Sequence, residues 1–173
     1  MTQNVLKKTL LDFTQRYGFN IPDENWEMLV EEGEPYEIEF SLFSIFDNIG
    51  SACDPETGFG PSEYLPELIQ DSLRLVSADD WRIDGVESRD SWSSATINLQ
   101  NSQGSDYQIV IKGVEDSDWV PPSFYDGFNK FAETHCEKSL CAIYGEDAYR
   151  LIVMPHVAVK ELQMIYRADI ELY

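Results

Sequence analysis

Between Arg16 and Arg74 the chain runs from Tyr17 to Leu73 without a lysine or arginine, yet this stretch carries fourteen carboxylates. A helix or strand built there has no opposite charge one turn away to pair with, so its acidic side chains must face water or a partner from elsewhere. The densest part is "PDENWEMLVEEGEPYEIEF" (22–40), which includes Glu31, Glu32, Glu34, Glu37 and Glu39. A second basic-free run, "GVEDSDWVPPSFYDGFN" (113–129), adds Glu115, Asp116, Asp118 and Asp126. Four uses are open to so many carboxylates: plain solvation, cation ligation, acid catalysis, or one half of a contact with another molecule.

Charge decides among partners. The formal net charge is −20 over 173 residues. Duplex DNA carries one charge per roughly 1.7 Å of axis, so this total equals about one helical turn of phosphate. Nucleic acid is thereby excluded as a direct ligand, and anionic membranes are disfavoured. A field of this sign steers cationic partners: basic proteins, metal ions or cationic small molecules. The chain nonetheless folds, because 43% of its residues are apolar and 13% aromatic, well outside the composition of a disordered acidic tail. Its length suits one core that buries roughly 70% of the unfolded surface, and the expectation is a single α+β domain over residues 1–173. There is no secretory pattern, no apolar run long enough to span a bilayer, and an odd set of three cysteines (Cys53, Cys136, Cys141). These features predict a cytoplasmic protein with reduced thiols and no membrane contact.

Periodicity places the elements. Leu6, Leu10, Phe13 and Tyr17 recur at helical spacing, which predicts a helix over 3–17 stopped by Gly18. Pro22 and Asp23 open a second helix, through Trp26, Leu29 and Val30, that ends at Gly33. Glu31 and Glu32 would lie at the C-terminal end of its dipole, where acids do not belong. Alternation of Tyr36, Ile38, Phe40 and Leu42 predicts a strand that points Glu37 and Glu39 the same way. Glycines and prolines make 50–64 a loop, and a helix follows through Tyr64, Leu65, Leu68, Ile69, Leu73 and Val76 with Pro66 in its first turn. Beyond Ala78, "WRIDGVES", "SATINLQ" and "DYQIVIKGV" read as strands, the last two joined by the "NSQGS" hairpin. A helix follows Pro121–Pro122, a second hairpin turns about Gly145–Asp147, Pro155 opens a last helix, and "ADIELY" reads as a terminal strand. The fold class is α+β, with N-terminal helices packed on a mainly antiparallel sheet formed largely by the C-terminal half.

Catalytic chemistry finds little support. A nucleophile needs a base beside it, and the chain has only His135 and His156. Cys136 follows His135, but adjacent helical residues point about 100° apart, so adjacency makes no dyad. Zinc could be drawn from His135, Cys136, Cys141 and His156, although Cys141 fits equally as an inward strand residue. Calcium could use Asp54, Glu56 and Glu63, but they lack the alternating order of a calcium loop. Phosphate loops and serine elbows are absent. The reading is therefore a protein that is not an enzyme, with no cofactor and no metal centre.

Recognition remains. "EDSDWVPPSFYDGF" sets Glu115, Asp116 and Asp118 beside Trp119, Phe124 and Tyr125, the pairing of acids with aromatic anchors that interfaces use. Trp119 and Phe124 fit equally as core residues at a sheet edge, and Trp26 fits the core of its helix. At the level of class, the acidic single-domain texture, the stretch 17–73 and "EDSDWVPPSFYDGF" together resemble bacterial immunity proteins of contact-dependent inhibition and polymorphic toxin systems. The resemblance implies an antitoxin role: binding and neutralising a basic toxin at or near its active-site cleft, with carboxylates set against lysines and arginines. The expected protein-binding residues are Glu31, Glu32, Glu34, Glu37, Glu39, Glu115, Asp116, Asp118, Trp119 and Tyr125. The rival is a DNA mimic that inhibits a DNA-binding protein, which would need an elongated double row of charge instead of one anchored patch. A small enzyme of unknown type comes third.

Overall fold

The computed structural model describes residues 3–31, 42–145 and 148–165. The elements run α1 (Gln3–Tyr17), α2 (Asp23–Glu31), a helical turn at 42–45, β1 (Ser51–Cys53), α3 (Pro61–Leu75), β2 (Trp81–Arg89), β3 (Ser94–Asn101) and β4 (Asp106–Lys112). They continue with α4 (Ser123–His135), β5 (Lys138–Tyr144), β6 (Tyr149–Pro155) and α5 (His156–Ile165). This is an α+β fold with its strands largely in the C-terminal half. The sheet is not one but two: β1-β6-β5 and β2-β3-β4, each three-stranded. No described helix is long and apolar enough to cross a membrane.

The chain divides into two compact units, residues 1–54 with 141–172 and residues 55–140 with Tyr173. In the first, Leu6, Leu10 and Phe13 bury the inner face of α1 together with Trp26, Ile143, Ile152, Val159 and Leu162. α1 packs on α2 and α5, and at its end Arg16 pairs with Glu161, which also accepts from the Tyr17 hydroxyl at 2.9 Å. β1 was not visible as a strand in sequence, since three small residues carry no alternation. It is selected by pairing with β6 about a hundred residues away, Ser51 opposite Leu151 and Cys53 opposite Tyr149.

A dense polar knot holds the turn that leads into β1. Arg150, on β6, is the only charged side chain buried among the described residues. Its guanidinium donates to the carbonyls of Phe43 (2.9 Å), Asp47 (3.0 Å) and Gly50 (3.2 Å) and lies 4.3 Å from the centroid of the Phe43 ring. Burial lowers its pKa, which the nearby Asp47 charge partly offsets. From the other side the buried Asn25 amide donates to the carbonyls of Ser44 and Ile45 and to the Asp47 carboxylate. Two side chains thus take up carbonyls that a short helical turn leaves open.

In the second unit α3 lies along β2 and α4 along β4. Antiparallel pairing sends Ala95, Ile97, Leu99, Ile109 and Ile111 inward, where they are buried with Phe124, Phe128 and Phe131 of α4. Trp81 meets Phe131 edge-on at 5.0 Å. α3 starts at Pro61, three residues earlier than the apolar spacing predicts, so Pro66 falls in the second turn and forfeits the bond to the Ser62 carbonyl.

Asn129 of α4 acts as a stand-in strand. Its amide donates to the Leu140 carbonyl at 2.8 Å and accepts from the Leu140 N–H at 2.9 Å. Asn129→Leu leaves both backbone groups without a partner, an expected loss of about 2 kcal/mol. The Leu140 amide should then exchange with solvent about thirtyfold faster, and unchanged exchange would show that water replaces the bond.

The predicted strand over 36–42, the shared direction of Glu37 and Glu39, and the terminal strand "ADIELY" lie outside the described residues, apart from Leu42, which is buried in the helical turn.

Candidate functional site

Three loops of the second unit are stitched side by side. The segment 55–60 pairs with 118–120: the Thr57 N–H donates to the Asp118 carbonyl at 2.8 Å, the Val120 N–H to the Pro55 carbonyl at 2.9 Å, and Glu56 faces Trp119 in an antiparallel bridge. The Thr57 hydroxyl adds a second bond to the Asp118 carbonyl at 2.9 Å. The same loop also meets the β2–β3 turn, with the Gly113 N–H on the Ser93 carbonyl at 2.8 Å and the Glu115 N–H on the Trp92 carbonyl at 2.7 Å.

Backbone strain marks the seam. Asp90, Ser91, Trp92 and Glu115 all hold φ between 48° and 68°, and Gly113 joins them at 63°. Each non-glycine residue in this left-handed region costs about 1–2 kcal/mol, and the two cross-loop bonds help to hold the arrangement. Strain of this sort collects where a loop must present a set geometry.

Tyr64 of α3 anchors the platform from below, its hydroxyl donating to the Trp119 carbonyl at 3.1 Å. Burial, then the Asp118 charge, push its pKa from 10.0 up to about 12. Folding thus favours the neutral phenol: its contribution is whole below pH 10 and disappears as pH rises towards about 12. A phenolate titration should show a tyrosine ionising near that upper value in the native protein and missing from Tyr64→Phe. A difference confined to the ordinary range would contradict the buried bond.

The platform presents aromatic side chains outward in an acidic field. Trp119 is 54% exposed and Phe59 59%. The three loops carry Glu56, Asp90, Glu115, Asp116 and Asp118 and no lysine or arginine, with Arg89 and Lys112 ending the strands that lead into two of them. Glu115, Asp116, Asp118 and Trp119 share one loop of this platform. Tyr125 does not. It is fully buried on α4, edge-on to Phe124, because positions 124, 125, 128, 131 and 132 together form the inward face of that helix. Phe124 and Trp26 are core residues as well. Of the remaining expected residues, Glu31 ends α2 without a described side chain, and Glu32, Glu34, Glu37 and Glu39 lie outside the described residues.

The basic-free stretch is shared between the units, ten of its carboxylates before Pro55 and four after. By sequence each unit carries sixteen carboxylates and six lysines or arginines, a net of −10 apiece. The anionic field is therefore general to the chain, and what is local to the platform is the exposed aromatic surface. Phe59 was missed in sequence although "GFG" holds the signal: an aromatic between two glycines in a loop has no helix or strand to bury it.

Other chemistry has less to work with. Cys141 is buried in β5, and burial pushes its pKa up to about 12, which makes a poor thiolate. Cys136 follows α4, its thiol also pushed up by burial and then by Asp80. His135 packs against Trp81, Tyr107 and Phe131. Among the described residues no three His, Cys, Asp or Glu side chains converge on a possible metal position. No protein-family model, curated protein or solved structure matches the chain.

Proposed function

We propose that the chain is a non-catalytic acidic recognition protein that binds a basic protein and neutralises it, acting in the cytoplasm as the immunity protein of a cognate bacterial toxin. The observation that supports this reading is Trp119: a large aromatic held more than half exposed on a loop whose neighbours are carboxylates. Interfaces draw most of their energy from a few such anchors, and the surrounding charge sets the rate of encounter. A preorganised loop spares the entropy of ordering on binding, and the cross-loop bonds supply that order here. The net charge of −20 contributes long-range attraction for a basic partner and repulsion of nucleic acid.

The DNA-mimic reading shares the charge but has no use for an exposed tryptophan. Competition separates the two. A cognate inhibitor leaves duplex DNA bound to unrelated DNA-binding proteins, even at high excess of the chain. General displacement of that DNA would overturn the proposal in favour of mimicry.

A further inference from the structure

Resting on that reading, we infer that the Trp119–Phe59 surface is the docking point for an arginine side chain of the basic partner, the guanidinium stacked on the Trp119 ring. Trp119 adjoins Asp118, whose carbonyl binds Thr57, and Phe59 lies two residues beyond Thr57. Two residues of chain span at most about 7 Å, so the two exposed aromatics are carried on neighbouring backbone. The Phe59 N–H in turn donates to the Thr57 hydroxyl oxygen at 3.3 Å, which ties the short "GFG" arc to the same point.

An apolar patch alone does not name its occupant; here the charge does. Asp116 and Asp118 stand within three residues of Trp119 on the same loop, so an anionic ligand is repelled and a neutral apolar one draws no advantage from the field. A cation gains from both, because the ring face is electron-rich and indole binds cations best of the aromatic side chains. Arginine fits better than lysine. Its guanidinium is planar, weakly hydrated and able to stack while its edge pairs with a carboxylate, whereas ammonium keeps its water. The Trp119 backbone is already committed, its N–H to the Ser117 hydroxyl at 3.0 Å and its carbonyl to Tyr64. The indole can therefore be removed with the loop left in place.

The test is titration of the purified full chain with tetra-arginine amide and, separately, tetra-lysine amide at low salt, followed by the indole N–H resonances. The Trp119 signal should move first and furthest, and Trp119→Ala should weaken tetra-arginine binding about fivefold, the change that ~1 kcal/mol of lost cation–π contact produces. Phe59→Ala should weaken it less, and tetra-lysine should bind native protein more weakly than tetra-arginine. Unchanged affinity in Trp119→Ala, or equal affinity for the two peptides, overturns this inference while leaving the basic-partner reading standing. A native chain that binds neither peptide at low salt overturns both.

Discussion

Replacement of Arg150 by methionine is expected to lower the melting temperature by roughly 6–12 °C, the shift that about 3 kcal/mol gives in a chain of this size. The guanidinium serves three main-chain carbonyls, of Phe43, Asp47 and Gly50, at distances from 2.9 to 3.2 Å. Methionine matches the stem but donates nothing, so the carbonyls must either stay dry and unpaired or open to water. Lysine keeps the charge and can satisfy only part of that set from a single ammonium, so Arg150→Lys should fall between the two. Thermal unfolding by circular dichroism measures the effect. A loss below 2 °C for Arg150→Met would show that solvent reaches the turn and that the buried arginine is incidental to it.

Gly50→Val should be as damaging for a different reason. A Cβ built at Gly50 would stand 2.6 Å from Arg150 Cγ, 2.7 Å from Ile152 Cγ1 and 2.9 Å from the Leu151 carbonyl oxygen. Side chains can yield, but Leu151 is the register partner of Ser51, so its backbone cannot retreat without opening the β1–β6 pair. Overpacking against fixed main chain costs about 3 kcal/mol, a melting temperature lower by roughly 6–12 °C. The damage should be concentrated in the β1–β6 amides, seen as faster hydrogen exchange there. Slow native exchange at Leu151 in the variant would contradict the close approach.

The two variants probe a feature that sequence concealed. Arg150 sits in "YRLIVMP", on the same strand face as the buried Ile152 and Met154; what sequence conceals is that the turn at 43–50, about a hundred residues away, supplies the carbonyls that receive its charge there. Elements whose signal is local were legible. Leu6, Leu10 and Phe13 declare α1 by spacing, and all three are buried. The alternation in "SATINLQ" and "DYQIVIK" gives β3 and β4, whose inward residues are the alternating ones. Elements set by distant pairing were not: β1 exists because β6 offers it an edge, and the division into two sheets has no local signature.

The candidate site was half legible for the same reason. Acids and Trp119 lie together in one run of sequence, so "EDSDW" could be read directly. That 55–60 and the β2–β3 turn both meet its loop depends on pairings across about sixty and about twenty residues, which no pattern reveals. Tyr125 shows the opposite error. Proximity to the acidic run favoured a surface role, but Tyr125, Phe128 and Ala132 follow helical spacing and mark a second inward stripe beside Phe124 and Phe131.

Growth rescue bears most directly on the central claim. The product of the open reading frame immediately upstream is expressed in a bacterial host alone, with the native chain, and with the chain carrying both Trp119→Ala and Phe59→Ala. The account predicts that the upstream product arrests growth, that the native chain restores it through a complex weakened by salt, and that the double variant, though folded, fails to protect. A harmless upstream product, or toxicity that the native chain does not relieve, would contradict it.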